Sequence, residues 1–334
     1  MSSADASGVV GIIANPSSGR DVRRLLANAA TSTIDDKVTI VRRVAIGAVQ
    51  AGARKLVVMP DPFGLCRRAL STVSLDAEVE TLDVPNTHDE RVSVRTATAM
   101  REMGVGAIVV LGGDGTNRAV SIGWSDAPVV ALSTGTNNVF PTSIEPTIAG
   151  AAAGLVASGR VGLDECSLQA KRVHVDIEGE EPDFALVDAV LTADRFARSL
   201  LLFDPATLRV AVMAVSEPAA VGISSIGGLL HPVSKADDGA VDVRMAPPED
   251  APSQVLAPTA PGIYTPIGIT SCTPIGLDEP VTAEGPGVLA FDGERSRSVP
   301  EGARMTFRVL RDGPRVIDAR RALHVAAERG LYVS

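Results

Sequence analysis

Aromatic side chains are scarce. One Trp, two Tyr and seven Phe amount to 3% of the 334 residues, so any interior must be built from Val, Ala, Leu and Ile, within a hydrophobic content of 45%. Cysteine is scarcer still: Cys66, Cys166 and Cys272 lie far apart, are odd in number and show no metal-ligand spacing. That argues against a disulfide framework or a cysteine metal site and reads as reduced thiols. Basic charge is also short, with 31 Lys and Arg against 40 Asp and Glu and a formal net charge of −9. No basic stripe is available to displace counterions, which excludes a polyanion such as nucleic acid as the main partner. No apolar run approaches the ~18 residues that cross a bilayer. Residues 1–8 are polar, unlike the charged start and apolar core of a signal peptide. No basic, aromatic-tipped amphipathic helix offers a bilayer anchor, so stable membrane association is not expected and the expected compartment is the cytoplasm.

What is present is a repeating unit in the first half: a short β-branched run, a turn with Gly, Pro or Asn, then a helical pattern. Val9–Ala14, Lys55–Met59, Val79–Val84, Ala107–Leu111 and Pro128–Leu132 read as strands. Asp21–Ala30, Ala45–Ala53, Phe63–Ser71, Asp89–Met103 and Asn117–Trp124 read as helices between them. This alternation predicts an α/β domain over residues 1–157 with a doubly wound, mostly parallel sheet. After Gly159 the texture changes to alternating runs such as Arg172–Ile177, Phe184–Leu191, Leu208–Val215, Val241–Met245 and Met305–Leu310. An antiparallel β-rich domain over 158–316 is predicted there, with Ala246–Gly262 as a long Pro- and Ala-rich surface connection. Residues 317–334 carry the Ala, Leu and Arg content of a helix, expected to pack back on the first domain. The active site is expected in the cleft between the two domains.

The strongest chemical signal is Gly112-Gly113-Asp114-Gly115-Thr116, directly after an apolar strand and before a helix. A strand that ends in glycines and opens a helix presents bare amides and the helix's positive end to an anion. Phosphate is the expected guest. Asp114 stands in the middle, and a carboxylate beside phosphate needs a cation between them, which points to a magnesium-nucleotide site.

Other loops fall at comparable positions. Asn15-Pro16-Ser17-Ser18-Gly19-Arg20 follows the first strand and supplies Asn15, Ser17, Ser18, Gly19 and Arg20 as phosphate ligands, although Asn-Pro with Ser and Gly is also an ordinary turn. Gly135, Thr136, Asn137 and Asn138 follow the fifth strand and offer donors and acceptors for a ribose or base. Asp292-Gly293-Glu294 delivers two carboxylates on a tight turn, the dipeptide Asp-Gly being a common hairpin signal as well. The spacing GxGxxG of a dinucleotide-binding dehydrogenase is absent after the first strand. His231, beside apolar residues, reads more readily as a packed side chain than as a ligand.

Taken together, these loops resemble the kinase superfamily that contains NAD kinases, diacylglycerol and sphingosine kinases and, more distantly, phosphofructokinases. The texture of GGDGTNR, GTNNVFP and GGLLHPV is most similar to the ATP-NAD kinase-like proteins that accompany acetoin-catabolism genes. The resemblance implies ATP as donor, Mg²⁺ as its metal, and phosphorylation of a hydroxyl on a small soluble acceptor, NAD(H) ranked first. A lipid-type kinase and a nucleotide-binding regulator without turnover are the alternatives, and a homo-oligomer is expected. By resemblance, Asp114 organises Mg²⁺ or acts as base, Glu294 is the rival base, and Asp292 orders the metal shell. The amides of Gly112, Gly113 and Gly115, with Thr116, would hold the donor phosphates. Asp188, in Val187-Asp188, stands where NAD kinases carry an Asn-Glu pair on the dinucleotide. The chain departs from the lipid-kinase pattern at Arg118-Ala119, where that branch carries Asn-Glu.

Overall fold

A computed structural model describes residues 7–16, 18, 33–85, 89–134, 138–194, 204–293 and 295–333, so the helix expected over Asp21–Ala30 lies outside the described residues. In chain order the first lobe comprises β1 (Val9–Ala14), α1 (Ile34–Gln50), β2 (Lys55–Val58), α2 (Leu65–Leu70), β3 (Glu78–Thr81), α3 (Arg91–Glu102), β4 (Ala107–Gly112), α4 (Asp114–Gly123), β5 (Pro128–Ser133), α5 (Pro146–Ala157) and α6 (Leu163–Cys166). The chain continues through β6 (Ser167–Gln169), β7 (Arg172–Ile177), β8 (Asp183–Ala185), β9 (Asp188–Thr192), β10 (Leu208–Met213), α7 (Ile223–Leu230), β11 (Gly239–Ala246), β12 (Ser253–Ala260) and β13 (Ile263–Gly276). It closes with β14 (Val281–Glu284), β15 (Gly287–Phe291), β16 (Arg295–Val299), β17 (Arg304–Leu310), β18 (Arg315–Ile317) and α8 (Ala319–Glu328).

The first sheet runs β3-β2-β1-β4-β5-β18-β6 and is parallel from β3 to β18, with β6 antiparallel at the edge. Its central strands are apolar on both faces. Val10, Ile12 and Ala14 of β1 enter a core shared with α1, α5 and α8, whereas Ile13 faces a second core shared with α3 and α4. That double cover is what the uninterrupted apolar runs require. The predicted doubly wound lobe followed by an antiparallel β-rich lobe is the observed architecture. The second lobe holds a sheet ordered β12-β13-β11-β10-β9-β15-β16, packed through Val212, Leu289 and Phe291 on a smaller sheet, β14-β17-β7-β8, that offers Val175 and Phe307. Ala131 and Phe140 meet Ala170, Leu186 and Val187 in a cluster between the lobes. Among the described residues no helix is long and apolar enough to cross a membrane.

Three expectations are corrected. The helix expected from Ala45 begins at Ile34, because Thr33 and Asp36 form a capping box that starts the chain into helix eleven residues earlier: Asp36 N donates to Thr33 Oγ1 at 3.1 Å and Thr33 N to Asp36 Oδ2 at 2.9 Å. Ala246–Gly262 is not a loop. Its second half is β12, an edge strand that among the described residues pairs only with β13, where Pro258 costs no ladder bond on the open side. Finally, the run Phe184–Leu191 is not one strand but β8 and β9, interrupted at Leu186-Val187, whose amides turn to the Asp292 carboxylate.

Helices α1 and α5 touch backbone to backbone. A Cβ on Gly150 would lie 2.0 Å from Val44 O and one on Gly47 2.1 Å from Thr147 O. Helix propensity alone favours Ala by about 1 kcal/mol, but separating the pair outweighs it. Gly150→Ala is expected to lower stability by about 1–3 kcal/mol, read as a shift of the urea midpoint at constant slope.

Candidate active site

Gly112 ends β4, Gly113 is the N-cap in extended backbone, and Asp114 is already the first residue of α4. The helix expected from Asn117 therefore starts three residues earlier, inside the motif, where glycine's low helix propensity conceals it in sequence. Amides in this first turn have no intrahelical partner and add to the positive end of the helix. A Cβ on Gly112 would fall 2.5 Å from Thr116 Cβ, so glycine is what lets Thr116 fold over the end of β4.

Two loops converge on this turn at the carboxyl ends of the parallel strands. Asn15 Nδ2 donates to Thr116 Oγ1 at 3.0 Å, joining positions 101 residues apart. Thr134 Oγ1 donates to Ser18 Oγ at 3.0 Å, which ties the loop after β5 to the loop after β1. Asn138 Nδ2 donates to Ser133 Oγ at 2.9 Å. Ser17, Gly19, Arg20, Gly135, Thr136, Asn137 and Glu294 fall outside the described residues. A cavity of ≈ 450 Å³ opens beside the turn, lined by Asn15, Gly115 and Thr116 on one side and by Met59, Phe63 and Glu90 on another.

Asp114 is buried and oriented from the far loop. Its Oδ1 accepts the Phe140 amide at 2.9 Å, and the Val139 amide lies 3.2 Å from both oxygens. The Phe140 carbonyl in turn accepts from Lys235 Nζ of the second lobe at 2.5 Å. Burial lowers the Lys235 ammonium from its ordinary value, against the charges of Asp114 and Glu217.

Two residues that carry much of this geometry did not emerge from the sequence. Lys37 of α1 is fully buried, and its Nζ donates to the carbonyls of Asn15 (3.1 Å), Pro16 (2.7 Å) and Ser18 (2.5 Å). The available signal was a lysine in register with the buried stripe Val41, Val44 and Ala48, legible only once the helix is started at Ile34. The other is Arg118, noted only as a departure from the lipid-kinase pattern. Its Nη2 donates to Asp183 Oδ1 at 2.5 Å and its Nε to Phe184 O at 2.7 Å, so the helix that begins with the motif is bolted to β8 of the other lobe. The Phe184 ring packs between the guanidinium groups of Arg118 (4.8 Å) and Arg172 (4.6 Å). Arg295 and Arg297 also pair with Asp183. Burial pushes the Arg118 guanidinium down, opposed by the charges of Asp292 and Glu90.

Asp292, expected in the metal shell, is held by backbone amides. Its Oδ1 accepts amides of Leu186 (3.0 Å), Val187 (2.7 Å) and Asp188 (3.4 Å), and its Oδ2 lies 3.1 Å from the Leu186 amide. Burial raises its carboxyl, against those amides and the charge of Arg118. The carboxylate thus braces the break between β8 and β9, with Asp188 buried beside it at the start of β9. Among the described residues no three His, Cys, Asp or Glu side chains cluster as a metal cage. The donor set fits magnesium carried on nucleotide phosphates with at most Asp114 nearby, which is how this small cation is commonly held.

The chain is similar to several known proteins. Residues 10–161 match the family described as the ATP-NAD kinase N-terminal domain, and residues 171–312 match the acetoin catabolism protein X C-terminal domain. Acetoin catabolism protein X of Cupriavidus necator is 38% identical over 306 residues, spanning 88% of this chain and 85% of that protein. Yeast NADH kinase, solved as its complex with NADH, shares the fold with a TM-score of 0.54 at 14% identity, over 98% of this chain and 88% of that one. A putative diacylglycerol kinase from Bacillus anthracis aligns with a TM-score of 0.47 at 12% identity, over 93% of this chain and 98% of that one.

Proposed function

Because the chain belongs to the acetoin catabolism protein X family, we propose that it transfers a phosphoryl group from magnesium-ATP to a hydroxyl of a small acceptor, with NAD(H) first among acceptors. One observation carries this reading: an anchored carboxylate, Asp114, opens a helix whose first turn lines a ≈ 450 Å³ cavity together with Asn15. The match of residues 10–161 to an ATP-NAD kinase domain supports it.

Phosphoryl transfer needs positioning, charge neutralisation and a base for the acceptor's proton. The amides of Gly115 and Thr116 at the helix start, with the Asn15 and Ser18 side chains, bind the donor phosphates. Magnesium bound with those phosphates supplies charge neutralisation. Asp114, fixed by the Val139 and Phe140 amides, takes the proton from the acceptor hydroxyl. Glu294 is the rival base. Asp292 acts at one remove, by holding the Leu186–Asp188 backbone, and Asp188 is the residue of that segment assigned to the acceptor.

The test is direct. Purified protein with magnesium-ATP should release ADP in proportion to product when offered NAD or NADH, and less readily with sugars or polyols. ADP release with a polyol and none with NAD(H) would move the acceptor and leave the chemistry standing. Nucleotide binding without ADP release from any acceptor would leave a sensor in place of a kinase.

A further inference from the structure

A second cavity, of ≈ 440 Å³, lies where β5 and β18 of the first sheet face the loops of the second lobe. Its walls are apolar, with Phe140, Ile144, Leu168, Leu186 and Ile317 among them. Its ionisable lining consists of Lys171, Lys235, Arg320 and Asp318. Asp318 caps α8, its Oδ1 accepting the amides of Arg320 at 2.9 Å and Arg321 at 3.1 Å. Its lining therefore holds three cations, Lys171, Lys235 and Arg320, against one carboxylate that already caps a helix.

Both lysines are held by carbonyls and not by anions. Lys171 Nζ donates to Ser234 O at 3.0 Å and Gly239 O at 2.7 Å, while Lys235 Nζ donates to Phe140 O and stands 5.8 Å from the centre of the Phe140 ring. An ammonium has three donors, so these bonds leave one on Lys171 and two on Lys235. Burial pushes Lys171 down to about 8, with Arg311 acting the same way and Asp237 and Asp238 opposing. Asp114 and Glu217 act on Lys235 from outside the lining, but a buried ammonium hydrogen-bonded to neutral carbonyls remains costly, and an anion entering the cavity relieves that cost. The volume falls in the usual range for small-molecule sites, which are mostly apolar with a few convergent polar groups.

We propose that this cavity binds a small organic anion, its carboxylate or phosphate on Lys235 and Lys171 and its apolar body against Phe140, Ile144 and Ile317. The site is separate from the phosphate cavity and does not depend on phosphoryl transfer. Phe140 connects the two, since its amide holds Asp114 and its carbonyl is held by Lys235.

Calorimetric titration of the full chain with acetate, butyrate, hexanoate, hexyl phosphate and hexan-1-ol tests this. Affinity should rise about threefold to fourfold per added methylene along the carboxylates, the gain expected for burying each CH₂. Hexanoate and hexyl phosphate should both bind at least about tenfold more tightly than hexanol, the tighter of the two naming the preferred head group. Lys235→Met should bring hexanoate to the level of hexanol, and Ile144→Trp, which fills the hole, should weaken every probe. An unchanged thermal melt shows that each variant is folded, and a separate titration with magnesium-ADP reads the phosphate cavity on its own. Hexanol binding as tightly as hexanoate, no gain with chain length, or undiminished hexanoate binding in folded Lys235→Met would overturn the proposal.

Discussion

Asp114→Asn is expected to lower phosphoryl turnover by about 100-fold or more, the usual contribution of a positioned general base. The substitution is informative because it can keep the two amide contacts that orient the side chain. Asp114 accepts the Phe140 amide on Oδ1 and the Val139 amide on both oxygens, and the carbonyl oxygen of an asparagine can still receive both. What disappears is the negative charge and the capacity to take a proton. Affinity for magnesium-ADP should stay within a few-fold if the backbone amides and Thr116 do the holding, so the loss should appear in kcat far more than in KM. Burial already lowers the Lys235 ammonium against the charge of Asp114, and with that charge gone it should fall further. Coupled ADP release, with binding measured separately, decides the matter. Full turnover in this variant removes Asp114 from the chemistry and leaves Glu294 as the base to examine.

Lys37→Met should cost about 1–3 kcal/mol of stability, the range for leaving buried hydrogen-bond acceptors without their donor. Met has nearly the same length and fills the same space, so little of this comes from a cavity. The cost comes from the carbonyls of Asn15, Pro16 and Ser18, which converge on one ammonium and would be left facing apolar side chains. Urea unfolding reads it as a fall in midpoint at constant slope. Arginine should not restore it, because a planar guanidinium cannot donate to three converging carbonyls from a single point. Magnesium-ADP affinity should fall as well, since Asn15 and Ser18 stand on the loop that Lys37 gathers. A loss within about 0.5 kcal/mol, the range of ordinary surface substitutions, would show that the loop holds its shape without this contact.

The legible parts of the fold were those whose cause is local. β1, β4 and β5 are short apolar runs because both faces of a parallel sheet are covered, and a run of that kind can be read without knowing its neighbours. The motif from Gly112 to Thr116 was legible for the same reason: strand, glycines and helix follow one another in sequence. What escaped was decided at a distance. The break between β8 and β9 depends on Asp292, more than a hundred residues later, and nothing in Leu186-Val187 announces it. β12 looked like a linker because proline reads as a strand breaker until one knows that the strand is an edge. Lys235 and Arg118 matter through what they reach in the opposite lobe, Phe140 and Asp183, which no local pattern encodes. Lys37 lies between these cases, since its place in the buried stripe of α1 is a local pattern, but one that depends on the capping box at Thr33 and Asp36 starting the helix at Ile34.

The first sheet is closed by β18, which lies beside β5 and is itself flanked by β6, while α8 buries Ala322 and Val325 in the core under α1 and α5. During synthesis, then, a nascent polypeptide with every residue through 310 outside the ribosome still lacks the strand and helix that finish its earliest-made layer. The opening half is thus completed only after the β-rich portion has emerged, which makes its long-range closure a late event.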